Sequence, residues 1–219
     1  MKNILFVSSS PRSWDSYSHR VARRIVDELI AGDPAARVVA RDLAKRPLPH
    51  IGAAFATGRA VPPQKQDAAD RQALALSDVL VDELFAADVI VVAAPMHNFG
   101  IPSSLKAWVD HIVRPGRTFT YSEGRPQGLV IGKKAVLVLA SGGVYSEGPM
   151  QAADFQEPYL RAVLGFIGLT DVEVIRVEGV ALGEKALSQA LNSADARADA
   201  IVHKIAGDWR TADLTPAVA

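Results

Sequence analysis

The sequence predicts an α/β fold, a doubly wound sheet of five parallel strands with helices on both faces. Two observations point there. Short runs rich in Val, Ile, Leu and Ala recur along the chain, as strands buried on both faces require. Between them lie segments whose apolar residues repeat every three or four positions, the spacing of a helix with one buried stripe.

Ile4–Val7 is the first strand. Val21, Ile25 and Leu29, joined by Ala22, Val26 and Ile30, form the first helical stripe, which Gly32-Asp33-Pro34 ends. Arg37–Ala40 is a weaker second strand. Residues 46–72 carry Pro47, Pro49, Gly52, Gly58, Pro62 and Pro63, so a long surface connection is expected there. Leu76, Leu80 and Leu84, with Ala73 and Val79, make the second stripe and lead into the third strand, Val89–Ala94. Leu105, Trp108, Val109 and Ile112 make the third stripe; Ala135–Ala140 is the fourth strand. Phe155, Tyr159, Leu160, Val163 and Phe166 mark the fourth helix, and Val172–Val177 is a fifth strand with partial alternation. The last stripe runs through Leu187, Leu191, Ala194, Ala198, Ile201, Val202 and Ile205. Strands alternating in this way with helices give a flavodoxin-like arrangement, strand order 2-1-3-4-5, over a single domain of residues 1–206. Residues 207–219 have lost the stripe and are expected to be a loose tail.

Composition narrows the function classes. Lys plus Arg and Asp plus Glu both number 24, so the bulk charge gives no reason to expect a nucleic acid or an anionic membrane as partner. There is no cysteine, which excludes disulfides, thiolate nucleophiles and cysteine-held clusters. The five histidines lack acidic partners at ligand spacing, so no metal site is expected. His19 is expected to face solvent, and Trp108 and Phe166 to belong to the core. No run approaches the roughly 20 apolar residues of a membrane span, and the first apolar run is too short for a secretory signal. A cytoplasmic protein is expected.

Three loops follow the first, third and fourth strands. The first reads Ser8-Ser9-Ser10-Pro11-Arg12-Ser13-Trp14-Asp15-Ser16-Tyr17-Ser18 and opens the first helix, where hydroxyls and unpaired amides suit a phosphate. It is neither a Gly-rich dinucleotide loop nor a GxxxxGK[ST] loop, which favours a single phosphomonoester over a pyrophosphate. Taken alone it reads equally as a helix cap. The second, Pro95-Met96-His97-Asn98-Phe99-Gly100-Ile101-Pro102, is stiff enough to set backbone N–H groups against a planar heterocycle. The third, Ala140-Ser141-Gly142-Gly143, lets a backbone approach a ligand closely. Each taken alone also reads as an ordinary turn. Under the expected strand order the loops converge where that order reverses, the usual ligand crevice of open α/β sheets.

The chain resembles the FMN-dependent NADH:quinone oxidoreductases, the bacterial azoreductases. The resemblance is carried by RDLAKRPLPHI, by APMHNFGIPSSLKAWVD and by YLRAVLGFIGLTDVEVIRVEG, and extends over roughly residues 2 to 205. It implies bound FMN, with NADH or NADPH as donor and a quinone or azo compound as acceptor. It puts Ser10, Ser16, Tyr17 and Ser18 at the FMN phosphate. Pro95, Met96, His97, Asn98 and Phe99 fall along the flavin ring, and Ala140, Ser141, Gly142 and Gly143 on the third cofactor loop. It also implies a homodimer with substrate over the flavin near the subunit interface, so His97, Phe119 and Tyr121 are candidate substrate contacts. Two departures stand out: His97 where the family often has Tyr, and Ala140-Ser141 in place of a common Ser-Arg pair. The flavin would carry the chemistry in a ping-pong cycle without a side-chain base. A serine hydrolase would need G-x-S-x-G, which ASGGV does not supply. A flavodoxin-like electron carrier is usually strongly acidic, and this chain is neutral. A flavin-binding regulator with little turnover stays open.

Overall fold

The computed structural model describes residues 1–12 and 15–214. Strands β1 (Asn3–Ser8), β2 (Arg37–Asp42), β3 (Val89–Pro95), β6 (Lys134–Ala140) and β7 (Asp171–Val177) form one parallel sheet in the order β2-β1-β3-β6-β7. With the hairpin β4 (Phe119–Ser122) and β5 (Arg125–Gly128) set aside, this is the expected 2-1-3-4-5 pattern.

The strands are continuously apolar because alternate residues enter two separate cores. Leu5, Val7, Ile90, Val92, Leu137 and Leu139 pack with Leu80 and Leu84 of α3 (Ala68–Ala86), Leu105 and Trp108 of α4 (Ser103–Ile112), and Leu160 and Leu164 of α5 (Glu157–Phe166). Ile4, Phe6, Val89, Val91, Val136 and Val138 pack with Val21, Ile25 and Leu29 of α1 (Tyr17–Gly32) and Ala194, Ala198 and Ile201 of α6 (Glu184–Leu214). A polar residue on either side of a central strand would enter one of these cores.

Three segments differ from the sequence-based expectation. The connection 46–72 is not structureless: it holds the short helix α2 (Ala53–Gly58) and a 3₁₀ turn at Pro63–Lys65, and α3 already begins at Ala68. The reasons are local. Phe55 is buried with its ring 5.3 Å from His111, and Asp67 caps α3 in a reciprocal capping box with Asp70. The tail is the second. Helix α6 continues through Gly207 to Leu214, because Trp209 packs on the α1–α6 core and Asp208 accepts a 2.9 Å bond from Lys134. Residues 215–219 lie outside the described residues. The third is the hairpin, which a two-residue turn closes at Glu123 (φ 53°) and Gly124 (φ 75°), the left-handed pair that suits strand twist. Its last residue, Gly128, runs so close to Gly168 that an added Cβ would sit 2.2 Å from the Gly168 nitrogen.

Candidate functional site

Strand order reverses between β1 and β3, so a crevice opens at their carboxyl ends. The loops leaving β1, β3 and β6 are tied to one another as they start. Ser9 donates N–H and Oγ–H to the Ala93 carbonyl, each at 3.0 Å. The Met96 N–H reaches the Ala140 carbonyl at 2.7 Å, and the Ser141 N–H reaches Val177 at 3.0 Å. Ladder geometry therefore continues to the rim of the sheet, and the loops begin from fixed positions.

In the first loop Ser10, Ser16 and Ser18 are all buried. Ser16 caps α1: its Oγ accepts from the His19 N–H at 3.4 Å and lies 3.1 Å from Ser18 Oγ. The Ser10 Oγ accepts from the Arg12 N–H at 3.3 Å. No acidic side chain sits in the first turn of α1, which leaves the positive end of the helix for an anion. Tyr17 is half-buried and packs on the α1–α6 core. Ser13 and Trp14 lie outside the described residues. His19 departs from expectation: instead of facing solvent it is half-buried, with Nδ1 2.8 Å from Ser8 Oγ and its ring 5.4 Å from Phe6. Burial pushes its pKa down, against the opposing pull of Asp42.

In the second loop His97 and Gly100 exchange backbone bonds of 2.9 and 3.0 Å around a two-residue turn. Asn98 (φ 48°) and Phe99 (φ 70°) are both left-handed. Asn tolerates that region and a bulky Phe does not, so the turn carries local strain of order 1 kcal/mol or more that its surroundings must offset. Among the described residues, neither the Asn98 nor the Phe99 N–H donates to a protein acceptor. Phe99 is fastened by its carbonyl, which accepts from the Phe155 N–H at 3.0 Å, and by its ring, edge-on to Tyr145 at 6.3 Å. His97, Asn98 and Phe99 are exposed; Pro95 and Met96 are half-buried.

In the third loop Ala140 and Ser141 are buried. The carbonyls of Ser141, Gly142 and Gly143 accept from the N–H groups of Val180, Ala181 and Gly179. This turns the carbonyls toward β7's following turn. A Cβ on Gly142 would meet Ala181 at 3.4 Å, and one on Gly143 the Tyr145 ring at 3.3 Å.

Phe119 and Tyr121 do not join these loops within the chain. Phe119 is buried on Phe166, 4.6 Å between ring centroids at the far end of α5, and the exposed Tyr121 leans on its edge. Trp108 is in the core, as expected. Beside the 97–100 turn lies a groove of about 800 Å³ lined by His97, Asn98, Ile101, Lys106, Phe155 and Tyr159.

The residues present fit a flavin mononucleotide. A first helical turn without acid, beside three buried serines, suits its phosphate, and two unpaired amides on the 97–100 turn suit the acceptor edge of its ring. The comparisons with known proteins agree. A family with a flavodoxin-like fold matches residues 2–202. The FMN-dependent NADH:quinone oxidoreductase of Mesorhizobium japonicum is 51% identical over 200 residues, covering 91% of this chain and 95% of that protein. The chain belongs to this oxidoreductase family. A second member, FMN-dependent NADH:quinone oxidoreductase 2 of Rhizobium etli, is 49% identical over 209 residues, 94% of this chain and 100% of its own. The crystal structure of azoreductase from Bacillus anthracis str. Sterne superposes with a TM-score of 0.86 at 28% identity, covering 93% of this chain and all of that one.

In this member of the family, the 97–100 turn is backed by residues that sequence reasoning missed. Asp154 and Gln156 are buried on either side of Phe155, whose N–H holds the Phe99 carbonyl; Arg176 bonds Asp154, and Gln156 Nε2 donates to the Ala94 carbonyl at 3.3 Å. The one available signal was the start of α5, where Glu157-Pro158 follows a short-range Asp. Among the described residues no helix is long and apolar enough to cross a membrane.

Proposed function

We propose that this chain is an FMN-dependent NADH oxidoreductase that delivers two electrons to quinones and to aromatic azo compounds. The observation that carries the reading is the meeting of three loops at the strand reversal, with a first helical turn free of acid on one side and two unpaired amides on the other. Ser10, Ser16, Tyr17 and Ser18 hold the phosphate together with the first amides of α1. Pro95, Met96, His97, Asn98 and Phe99 line the ring, and Ala140, Ser141, Gly142 and Gly143 close the third side.

When bound, FMN supplies the hydride chemistry, which no side chain here provides. The chain's part is position and charge. The amides of Asn98 and Phe99 are fixed donors that need no rearrangement to meet negative charge on the ring edge. His97 borders both the ring and the groove beside it, where it contacts the acceptor. A homodimer would set the acceptor site between subunits, where the exposed Tyr121 of a second copy borders the ring while Phe119 stays packed on Phe166. Donor and acceptor share one crevice, so they visit in turn.

The test is an absorbance titration under nitrogen. The apoprotein takes up FMN, the flavin bands bleach with NADH, and they return with a quinone. Initial rates against both substrates give parallel lines. Failure to bind FMN overturns the reading; intersecting lines overturn the alternating order alone.

A further inference from the structure

One cation is joined to the 97–100 turn by two separate routes. Arg176 lies on β7 and meets three carboxylates. Its Nη2 reaches Asp154 Oδ2 at 2.6 Å, its Nε reaches Glu157 Oε2 at 2.9 Å, and its Nη1 reaches Glu178 Oε1 at 3.0 Å. Each of the outer two acids in turn organises a loop. The Asp154 Oδ1 accepts from the N–H groups of Gln156 (2.9 Å) and Glu157 (3.2 Å), which fixes the start of α5 and with it the Phe155 amide that holds the Phe99 carbonyl. The Glu178 Oε1 accepts from the N–H groups of Tyr145 (2.8 Å) and Ser146 (3.0 Å), which fixes the ring that leans on Phe99.

We propose that Arg176 is a positioning residue for the flavin: through Asp154 and Glu178 it holds Phe99 from both its carbonyl and its ring, and so sets where the Asn98 and Phe99 amides point. This rests on the reading of the 97–100 turn as the flavin's ring-edge contact. The physical need is plain. Phe99 is a bulky residue in a left-handed conformation, and such a residue stays there only when its neighbours fix it. Without the guanidinium, Asp154 and Glu178 lose the cation they share, Arg161 stays only on Glu157, and the half-buried cluster must open or take up protons. Burial alone pushes the Asp154 carboxyl up, but Arg176 and the two backbone donors outweigh it and hold it below the usual carboxylate range. The ordering of both loops therefore depends on one positive charge.

The test compares the wild type with Arg176→Met, Arg176→Lys and, as a control, Arg24→Met. Arg24 also bridges several acids, Glu28, Asp195 and Asp199, but on the α1–α6 surface with no route to the turn. In the apoprotein, hydrogen exchange at Gly100, Tyr145 and Phe155 is expected to accelerate about tenfold or more in Arg176→Met and to match the wild type in Arg24→Met. In protein saturated with FMN, Arg176→Met is expected to shift the visible circular dichroism of the flavin band. Bleaching by NADH should slow by roughly tenfold, the scale of a sub-ångström displacement of reacting groups. Arg176→Lys, which keeps the charge and loses the fork, should fall between. Unchanged exchange at those three amides in both Arg176 variants overturns the proposal, whatever the flavin result. If the wild type binds no FMN, the site reading falls, and the exchange data alone decide whether Arg176 orders the turn.

Discussion

Replacing Ser16 by Ala should weaken FMN far more than it weakens the fold, and the two losses can be separated. The Ser16 Oγ accepts from the His19 N–H and lies within 3.1 Å of Ser18 Oγ. With Ser18 as donor in that pair, both Ser16 lone pairs are filled and its own proton is left to point at an anion. A hydrogen bond to a charged group contributes about 1.5–3 kcal/mol. At about 1.4 kcal/mol per tenfold, the dissociation constant for FMN should rise roughly 10- to 100-fold. The cap bond is 3.4 Å long, so its loss belongs at the low end of the range for caps, about 0.5 kcal/mol. That lowers Tm by about 1–2 °C in a chain of this size. The assay is fluorescence quenching, with riboflavin titrated beside FMN because it lacks the phosphate. A large loss for FMN with riboflavin unchanged is expected. Equal losses for the two flavins, or none for either, would refute the placement of the phosphate at Ser16.

Two further outcomes follow from burial and close approach. Gly128→Ala should cost about 3 kcal/mol, the upper end for overpacking, since all three nearest atoms to the new Cβ are backbone atoms of Ile167 and Gly168 within 2.5 Å. Gly165→Ala, one turn away in open space, should instead leave stability unchanged or raise it by about 0.5 kcal/mol. Thermal melts of the pair check this, and a Gly128→Ala protein that melts with the wild type refutes the close approach. His19 gives a pH dependence. Burial lowers its pKa in the fold against Asp42, while Arg23 and Lys45 also disfavour its charge. The unfolded chain therefore binds the proton more readily, so the stability contributed by neutral His19 is complete above about pH 6.5 and declines as pH falls toward the lower folded value. Urea unfolding between pH 7.5 and 5 should show this decline, and His19→Gln should flatten it; parallel profiles refute it.

The sheet was legible because its strands are buried on both sides, and a two-sided core leaves uninterrupted apolar runs such as Val89–Ala94 and Ala135–Ala140. The loops that follow those strands were legible for the same reason, since the strand ends locate them. The hairpin was not. Its strands are four residues each and only Phe119 is buried, so neither periodicity nor length marks it. The end of α6 was missed because its last turns are held by a single ring, Trp209, and by an ion pair to Lys134, neither of which shows as a stripe. His19 was misplaced because its polar partner, Ser8, ends β1, whereas the apolar run that marks this strand stops at Val7 and leaves Ser8 to the loop. The acids around Arg176 were invisible for a related reason. Asp154, Glu157, Arg176 and Glu178 look like ordinary surface charges until the fold brings 22 residues of chain back on itself.

The His97–Gly100 turn is closed by its own two backbone bonds and pinned through Phe99, so the exposed side chain of His97 is not what keeps it in place. If amides rather than side chains grip the flavin, selection can trade one acceptor for another by rewriting position 97 while the cofactor stays in place. A substitution there is then a change of diet without a change of engine. Substrate range in such a protein can drift through single substitutions, each step leaving a working flavoprotein behind it.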